Sequence, residues 1–221
     1  MGEFGEQFLN VAVMLRVAPM IVAGALQTLL LCALLVPIGL LGGLGAAVLA
    51  TNTRKVVRWP TTALIDLFRA FPPLVLLIFI YSGLPFAGIR LGPLAAICVA
   101  FFLNSASYYG EIYRAGIESV SRGQIEAGRS TGLTAAQTFA FITLPQAVRN
   151  ILPDLLSNTV ELIKLTTLAS VISVPELLHA ADLARSLTYN TSPLVMAGLI
   201  YLVVLWPLVR LAARFEHRLR A

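Results

Sequence analysis

Charged and hydroxyl side chains inside an apolar stretch are the first candidates for chemistry in this sequence. Glu161 and Lys164 stand three residues apart within residues 151–174, so a helix would place both on one face. If that helix enters the membrane about ten residues before Lys164, this side chain lies ~15 Å along it, near the midplane. A charge at that depth is costly and is by default a functional candidate. Either Lys164 lines a polar pathway with Thr166 and Thr167, or it forms an internal ion pair with Glu161.

A second set of polar residues allows the same two interpretations. Asn104, Ser107 and Tyr108 lie in the apolar stretch 91–110 and could face the same cavity. Hydrogen bonds between helices are the more common use of such residues in a membrane. Arg69 stands at the boundary of another apolar stretch, where an arginine usually extends toward the interface.

A loop between the apolar stretches combines small residues with one acid. Residues 124–141 read QIEAGRSTGLTAAQTFAF. Glu126–Gly128 predicts one to two turns of helix with the acid at the helix start, and Gly132 ends that helix. Thr134 and Gln137 have the spacing of a capping box for a second helix. The loop is either a docking surface for a partner or a solvated turn between membrane spans.

No catalytic motif accompanies these residues. The sequence has no G-x-x-x-x-G-K-[ST] phosphate loop, no HExxH and no Gly-x-Ser-x-Gly, so we expect no enzymatic activity and no metal or cofactor bound by this chain. Cys32 and Cys98 each lie within an apolar run, without a CxxC pair or a nearby histidine, which favours packing over metal binding.

The composition places these residues in a membrane protein. Of the 221 residues, 58% are hydrophobic and 12% are charged, and the mean hydropathy is +0.85. Soluble domains carry about 25% charged residues, so an ordinary soluble chain is a poor fit and a disordered chain is excluded. The net charge of +5 is distributed between apolar runs rather than along one polar face, which argues against nucleic acid binding. We expect a single membrane domain over residues 1–221.

The apolar stretches predict five transmembrane helices. A helix needs about 20 apolar residues to cross ~30 Å of hydrocarbon. The first stretch is too long for one straight crossing, so we expect one long or tilted helix. Its Gly39-x-x-x-Gly43 pair would let another helix approach closely. The five stretches are residues 17–53, 70–89, 91–110, 151–174 and 186–209.

The basic residues predict the orientation of these spans. Residues 51–58, residues 111–149 and the tail after residue 209 together carry eleven arginines and lysines, against three on the opposite side. The positive-inside rule therefore predicts a cytoplasmic C-terminus and an N-terminus on the outer side. Phe4 and Phe8, followed by Val11 and Leu15, have helical spacing, so the first residues form either a short amphipathic helix on the outer surface or a loose tail.

Several motifs occur in one order along the centre of the chain. Glu126-Ala-Gly, then Gly132, then Ile142-x-Leu144-Pro145 follows the pattern EAA-x3-G-x9-I-x-L-P except at Gly128. Further segments are Arg69-Ala-Phe-Pro72, Tyr109-Gly-Glu111-Ile-Tyr-Arg114 and Glu161-Leu-Ile-Lys164-x-Thr166-Thr167-Leu168. With these segments the chain resembles the membrane permease subunits of histidine-, glutamine- or arginine-type ABC importers, the polar amino acid family.

This resemblance implies an all-α type I importer domain with five transmembrane helices, an N-terminal interfacial helix and a cytoplasmic coupling helix. It also implies two ATPase subunits that bind ATP and Mg²⁺, a second permease that is identical or homologous, and a periplasmic amino acid-binding protein at the bacterial inner membrane. The implied ATPase-coupling residues are Glu126, Ala127, Gly128, Gly132 and Leu133. The implied pathway residues for the amino acid are Arg69, Asn104, Ser107, Tyr108, Glu161, Lys164, Thr166 and Thr167.

One departure from the family and one alternative function bear on the transported molecule. Many relatives carry Lys-Asp-Thr-Ser-Leu where this chain has Leu165 after Lys164, so a role in recognising the substrate amino group is not carried over to this chain. The subunit either binds a different substrate or is the non-binding half of a heteromer. The alternative function is an ion-coupled secondary transporter that uses Glu161 and Lys164. Secondary transporters commonly contain inverted repeats, which the sequence does not show, and have no reason to contain the loop of residues 126–145.

Overall fold

The computed structural model describes the backbone of residues 3–220 and the side chains of residues 4–215. Arg218 and Arg220, which were counted in the predicted cytoplasmic tail, lie outside the described side chains. Within the described chain the regular secondary structure is helical and contains no strand, which confirms the all-α prediction.

The helices follow one another with few residues between them. They are α1 (Glu3–Phe8), α2 (Val11–Ala50), α3 (Lys55–Ala70), α4 (Pro73–Ile78), α5 (Pro93–Glu118), α6 (Arg122–Ser130), α7 (Ala135–Thr138), α8 (Leu144–Leu165), α9 (Leu177–Thr188) and α10 (Ser192–Arg220). Irregular helical turns extend three of them: a π-turn at Phe79–Gly83 and a 3-10 turn at Leu84–Ala87 after α4, a π-turn at Phe139–Thr143 after α7, and a 3-10 segment at Thr166–Ile172 after α8.

The number of apolar spans agrees with the prediction. Over the described residues, four helical segments are long and apolar enough to cross a membrane, and a bent pair brings the number to five. The four segments are Phe4–Ala50, Pro93–Glu118, Ala135–Ile172 and Ser192–Phe215, and the bent pair is Lys55–Ala70 with Pro73–Ala87. The first stretch is one continuous helix of 40 residues in α2, hence ~60 Å long, as expected.

The second span differs from the single helix predicted for residues 70–89. The helix α3 begins already at Lys55 and ends at Ala70, and Phe71 is extended, with φ −80° and ψ 126°. The cause is Pro72, because a proline ring disfavours the helical conformation in the residue before it. Pro73 then opens α4, where its missing N–H removes no hydrogen bond.

Three further span boundaries were wrong because the helices do not begin and end where the charge-free stretches of the sequence do. The helix α5 continues past Gly110 to Glu118, since its charged residues pair with one another along the helix. The helix α8 begins at Leu144 rather than at residue 151. Residues 186–188 belong to α9, and the last span starts only at Ser192, after Tyr189 adopts a left-handed conformation with φ 51°.

The N-terminal residues form α1, so the loose-tail alternative is wrong. The rings of Phe4 and Phe8 stack with centroids 4.6 Å apart. The carbonyl oxygen of Glu6 accepts a hydrogen bond from Asn190 Nδ2. The backbone N–H of Thr191, in the loop before α10, donates to the carbonyl oxygen of Gln7. Val11 and Leu15, which the helical spacing had grouped with them, belong to α2.

The chain forms two compact units, each assembled from three segments. The first unit contains Met1–Pro37, Pro73–Phe101 and Val160–Leu208. The second unit contains Ile38–Pro72, Phe102–Thr159 and Val209–Ala221.

Small residues bring helices together within each unit. In the first unit, a Cβ added at Gly24 of α2 would lie 2.6 Å from Ala180 Cβ of α9, so only glycine permits this approach. In the second unit, a Cβ at Gly39 would lie 2.6 Å from Ser105 Oγ of α5, and one at Gly43 would overlap Tyr109. The Gly39–Gly43 pair therefore packs against another helix, as predicted.

Candidate functional site

The loop between α5 and α8 folds into a sharp corner, formed by α6, α7 and the residues that join them. The helix α6 ends with the two hydrogen bonds of a Schellman motif: Leu133 N–H donates to Gly128 O, and Gly132 N–H donates to Arg129 O. Gly132 has φ 91°, a left-handed conformation that favours glycine, and a Cβ there would meet no described atom within 4 Å. The predicted helix stop at Gly132 is confirmed.

Side chains close the rest of the corner. Thr134 Oγ1 accepts from Gln137 N–H at 3.3 Å, and Gln137 Oε1 accepts from Thr134 N–H at 2.9 Å, which is the predicted capping box. Arg129 Nη1 donates to Leu133 O at 2.7 Å, across the turn that Gly132 makes. The two short helices are therefore held in one fixed arrangement by hydrogen bonds between near neighbours.

The five candidate coupling residues fall into an exposed and a buried group. Glu126, Ala127 and Gly132 are exposed, and Leu133 is partly buried. Gly128 is buried, and a Cβ there would overlap Ile142 Cδ1. The absence of a side chain at Gly128 therefore lets α6 pack closely against the π-turn Phe139–Thr143 that precedes α8. The placement of Glu126 at the helix start was wrong, because α6 begins at Arg122 and Glu126 lies in its middle.

A charged cluster joins the end of α3 to α5 in the second unit. Arg69 Nη1 lies 3.8 Å from Glu111 Oε1, and its guanidinium carbon lies 5.6 Å from the centre of the Tyr108 ring. Arg114 donates to Glu111 at 3.0 and 2.5 Å and to Glu118 at 2.7 Å. Arg69 Nε is buried without a hydrogen-bond partner among the described residues.

Two of the predicted pathway residues hold the end of α3 to α5. Asn104 is buried and its Nδ2 donates to Phe68 O at 3.2 Å, while Tyr108 Oη donates to Arg69 O at 3.1 Å. These carbonyls lie at the C-terminal end of α3, where a helix leaves its acceptors free. Ser107 donates to a carbonyl one turn earlier on its own helix. The structure therefore brings Arg69, Asn104 and Tyr108 together, and Ser107 makes no bond to them.

The remaining pathway residues lie at the end of α8 in the first unit. Glu161 and Lys164 form an ion pair on one face of the helix, and both side chains are about half exposed. Thr166 is fully buried and its hydroxyl donates to Ile163 O at 2.7 Å. Thr167 donates to Lys164 O at 2.8 Å. Lys164 thus has both a partner and an accessible surface, so both interpretations of it are compatible with these contacts.

One buried acid was missed by sequence reasoning. Glu176 is fully buried and caps α9, because its carboxylate accepts from Leu178 N–H at 2.9 Å and His179 N–H at 2.7 Å. Tyr201 of α10 donates its hydroxyl to the same carboxylate at 3.0 Å. Burial raises the pKa of Glu176, and the three donors counteract part of that effect. The available signal was an acid directly after Pro175 and before an apolar helix.

A third helix joins this arrangement. Leu177 N–H donates to Thr28 Oγ1 of α2 at 3.0 Å, and the Thr28 hydroxyl donates to Gly24 O at 3.2 Å. Glu176, Thr28, Tyr201 and the first turn of α9 are called the Glu176 node below. The node ties α2, α9 and α10 to one another inside the first unit.

Comparisons with known proteins agree on the kind of chain this is. A family model described as a binding-protein-dependent transport system inner membrane component matches residues 36–221. The chain is 36% identical over 214 residues to a probable amino-acid ABC transporter permease, YckA of Bacillus subtilis, covering 96% of this chain and 92% of the relative. It is 32% identical over 205 residues to the arginine transport system permease ArtQ of Bacillus subtilis, covering 92% and 94%.

Solved structures give the same result. The crystal structure of an amino acid ABC transporter with histidines has a TM-score of 0.87 to this chain, with 35% sequence identity, and the match covers 93% of this chain and 96% of that chain. An inward-facing MetNI methionine ABC transporter has a TM-score of 0.72 with 19% identity, covering 90% and 95%, and shows a shared fold alone.

Proposed function

Because this chain belongs to the family of binding-protein-dependent transport system inner membrane components, we propose that it is the permease subunit of an ABC importer for a polar amino acid or an amino acid derivative. The relatives named as amino-acid and arginine permeases, each matched over more than nine-tenths of this chain, support that class of substrate. A periplasmic binding protein would deliver the substrate, and a second permease, identical or homologous, would complete the membrane portion in the bacterial inner membrane.

The observation that carries the proposal is the rigid corner of α6 and α7. Its exposed residues Glu126 and Ala127 are presented by a helix fixed at its end by the Gly132 turn. Two ATPase subunits would bind this corner on the cytoplasmic side, with ATP and Mg²⁺ on those subunits. A corner that does not deform transmits closure of the ATPases as a rigid-body rotation and so drives alternating access.

The pathway residues receive specific roles in this proposal. Lys164 and Thr167 would meet the substrate carboxylate, since the lysine keeps an accessible surface beside its partner Glu161. Arg69, Asn104 and Tyr108 would hold the break between α3 and α4 in place. Recognition of the substrate amino group is not assigned to Leu165, which carries no charge.

The ion-coupled alternative is not favoured. The family match and the importer fold both include the loop for which a secondary transporter has no use. The half-exposed pair of Glu161 and Lys164 is an ordinary contact between residues three apart on a helix.

The test replaces Gly132 by tryptophan in a complex coexpressed with its ATPase subunits. Gly132→Trp places a large side chain on the exposed turn, in a left-handed conformation that it adopts poorly, so we expect loss of ATPase co-purification and of uptake. Gly132→Asn is the matched control, because asparagine tolerates that conformation. Undiminished ATP-dependent uptake by a stably expressed Gly132→Trp variant would contradict the coupling role. Uptake by the purified chain alone, without ATP, would favour the ion-coupled alternative.

A further inference from the structure

A polar groove lies in the first unit, where α1 meets the loop between α9 and α10. The backbone N–H of Thr191 donates to Gln7 O at 3.0 Å, and Asn10 N–H donates to Ser192 Oγ at 2.9 Å. The groove beside these contacts has a volume of approximately 470 Å³, which is within the range of small-molecule sites. It is lined by Gln7, Arg185, Ser186, Tyr189, Asn190 and Thr191.

The lining of this groove can donate hydrogen bonds to an anion. All six lining residues are polar, none is acidic, and Arg185 is positively charged. Arg185 directs Nε and Nη2 to Asp182 Oδ1 at 2.9 and 2.8 Å. Within the described part of the chain, its Nη1 and the hydroxyl of Tyr189 have no hydrogen-bond partner. A guanidinium with a free edge beside a free hydroxyl suits a phosphate group, which accepts several hydrogen bonds at once.

The groove lies at the level of the membrane surface. The helix α10 begins at Ser192, directly after the groove residue Thr191, and its first charged residue is Arg210. Residues 192–209 carry no charge, and one crossing needs about 20 residues, so the crossing uses this whole stretch. Ser192 therefore lies at one boundary of the hydrocarbon, and the loop before it lies among the lipid headgroups.

Exposed apolar side chains border the groove. Leu183 and Leu187 lie one turn apart on α9, on the side of the helix next to Ser186, and both are exposed. Tyr189, at the end of α9, is also exposed, and tyrosine is enriched where a membrane meets water. A molecule in the groove therefore meets hydrogen-bond donors on one side and apolar surface on the other, which is the arrangement that an amphiphile requires.

We propose that this groove binds the phosphodiester group of a membrane phospholipid, whose acyl chains extend along Leu183 and Leu187. Arg185 Nη1 and the Tyr189 hydroxyl donate to the phosphate oxygens. The lipid would contact both α1 and the loop before α10, so it would strengthen the junction at which α2 and α10 begin. In the predicted orientation this lipid belongs to the outer leaflet. The site does not depend on the identity of the transported molecule.

Native mass spectrometry of the permease complex, purified in a delipidating detergent, tests this site. Phosphatidylglycerol is titrated into the parent and into Arg185→Gln, and the lipid concentration for half occupancy is compared. We expect Arg185→Gln to need about tenfold more lipid, because a charge-assisted hydrogen bond to phosphate is lost. Arg16→Gln is the matched control, since it removes an exposed arginine of α2 that does not line the groove, and it should bind lipid like the parent.

A second variant keeps the test informative if Arg185→Gln disturbs the fold. Tyr189 has φ 51°, a left-handed conformation that glycine adopts without strain. Tyr189→Gly therefore suits the backbone but removes the phenol donor. We expect it to bind the lipid about threefold more weakly while its temperature of unfolding without lipid does not fall.

Three results would overturn the proposal. Equal lipid binding by the parent and both groove variants would show that the lipid does not occupy this groove. Inorganic phosphate that raises the unfolding temperature of the parent as much as the lipid does at equal concentration, but not that of Arg185→Gln, would assign the groove to a soluble anion. Groove variants that bind lipid normally but lose binding-protein-dependent uptake would show that this surface docks a protein. Failure of the proposed function is seen separately, as absence of ATP-dependent uptake in the parent, and it leaves the lipid titrations interpretable.

Discussion

The α6–α7 corner and the Glu176 node are both compact hydrogen-bonded arrangements, but they are built over very different distances in sequence. The hydrogen bonds of the corner join residues three to five apart, and most of its residues are exposed. The node joins Glu176 to Tyr201, 25 residues away, and Leu177 to Thr28, 149 residues away, and its carboxylate is fully buried. Local turns thus fix an exposed corner in the second unit, while contacts between residues far apart in sequence hold α2, α9 and α10 to one another in the first unit.

The largest effect is expected at the node. Glu176→Ala leaves the N–H groups of Leu178 and His179 and the hydroxyl of Tyr201 without their acceptor in a buried site. Unsatisfied buried donors cost ~1–3 kcal/mol each, and we expect the unfolding free energy to fall by about 3 kcal/mol. Glu176→Gln keeps an acceptor oxygen and should lose clearly less. Thermal unfolding of the purified permease in detergent measures both, and equal stability of Glu176→Ala and the parent would show that the node contributes nothing.

The pH dependence of stability is a second test of the buried carboxyl group of Glu176. Burial raises the pKa of Glu176 above its ordinary value of 4.5, so the native state holds this proton at a pH where the unfolded chain has lost it. The native state then binds more protons, and the unfolding free energy falls as pH rises from 4.5 through the native pKa. Glu176→Gln lacks this slope, while His179 and Tyr201 beside it are unchanged. The difference between the two stability profiles should therefore grow with pH and then level off.

The contrast also explains how far the sequence could predict this molecule. The stop at Gly132 and the Thr134–Gln137 capping box depend on neighbours a few residues apart, so their spacing carries the information. The ends of the spans were placed less well, because Glu111 and Arg114 look like the end of a membrane helix until their pairing along α5 is known.

Glu176 could not be assigned in the same way. Its local sequence indicates a helix cap, which is correct. Its burial depends on Tyr201 and on the approach of α2 at Gly24, and neither partner can be selected from an unaligned sequence.

A smaller effect is expected when the capping box of the corner is removed. Thr134→Ala deletes the acceptor for Gln137 N–H, and a lost helix cap costs ~1 kcal/mol. Because the corner is built from local contacts, we expect this loss to appear as faster hydrogen exchange at residues 134–138 with little change in the temperature of global unfolding. Thr134→Ser retains the cap and should exchange like the parent. If Thr134→Ala lowered the unfolding free energy as much as Glu176→Ala does, the distinction between the locally stabilised corner and the Glu176 node would be wrong.

The smallest effect is expected at Gly128, where the corner contacts a residue 14 positions away. Alanine at this position restores the residue of the family pattern and gains ~0.5–1 kcal/mol of helix propensity. Its Cβ would overlap Ile142 Cδ1, the flexible end of that side chain, so the gain is offset and the net change should be close to zero. Ile142→Val removes the overlapping carbon and alone should cost ~1 kcal/mol.

The double variant Gly128→Ala, Ile142→Val separates these contributions. If the two side chains meet as the structure shows, the double variant should be more stable than the sum of the two single changes predicts, by ~0.5–1 kcal/mol. Thermal unfolding of the purified permease in detergent measures this difference. Additive single changes would mean that Gly128 does not rest on Ile142. The corner would then be positioned by its own hydrogen bonds alone, and its coupling to α8 would have to pass through the chain at Leu144.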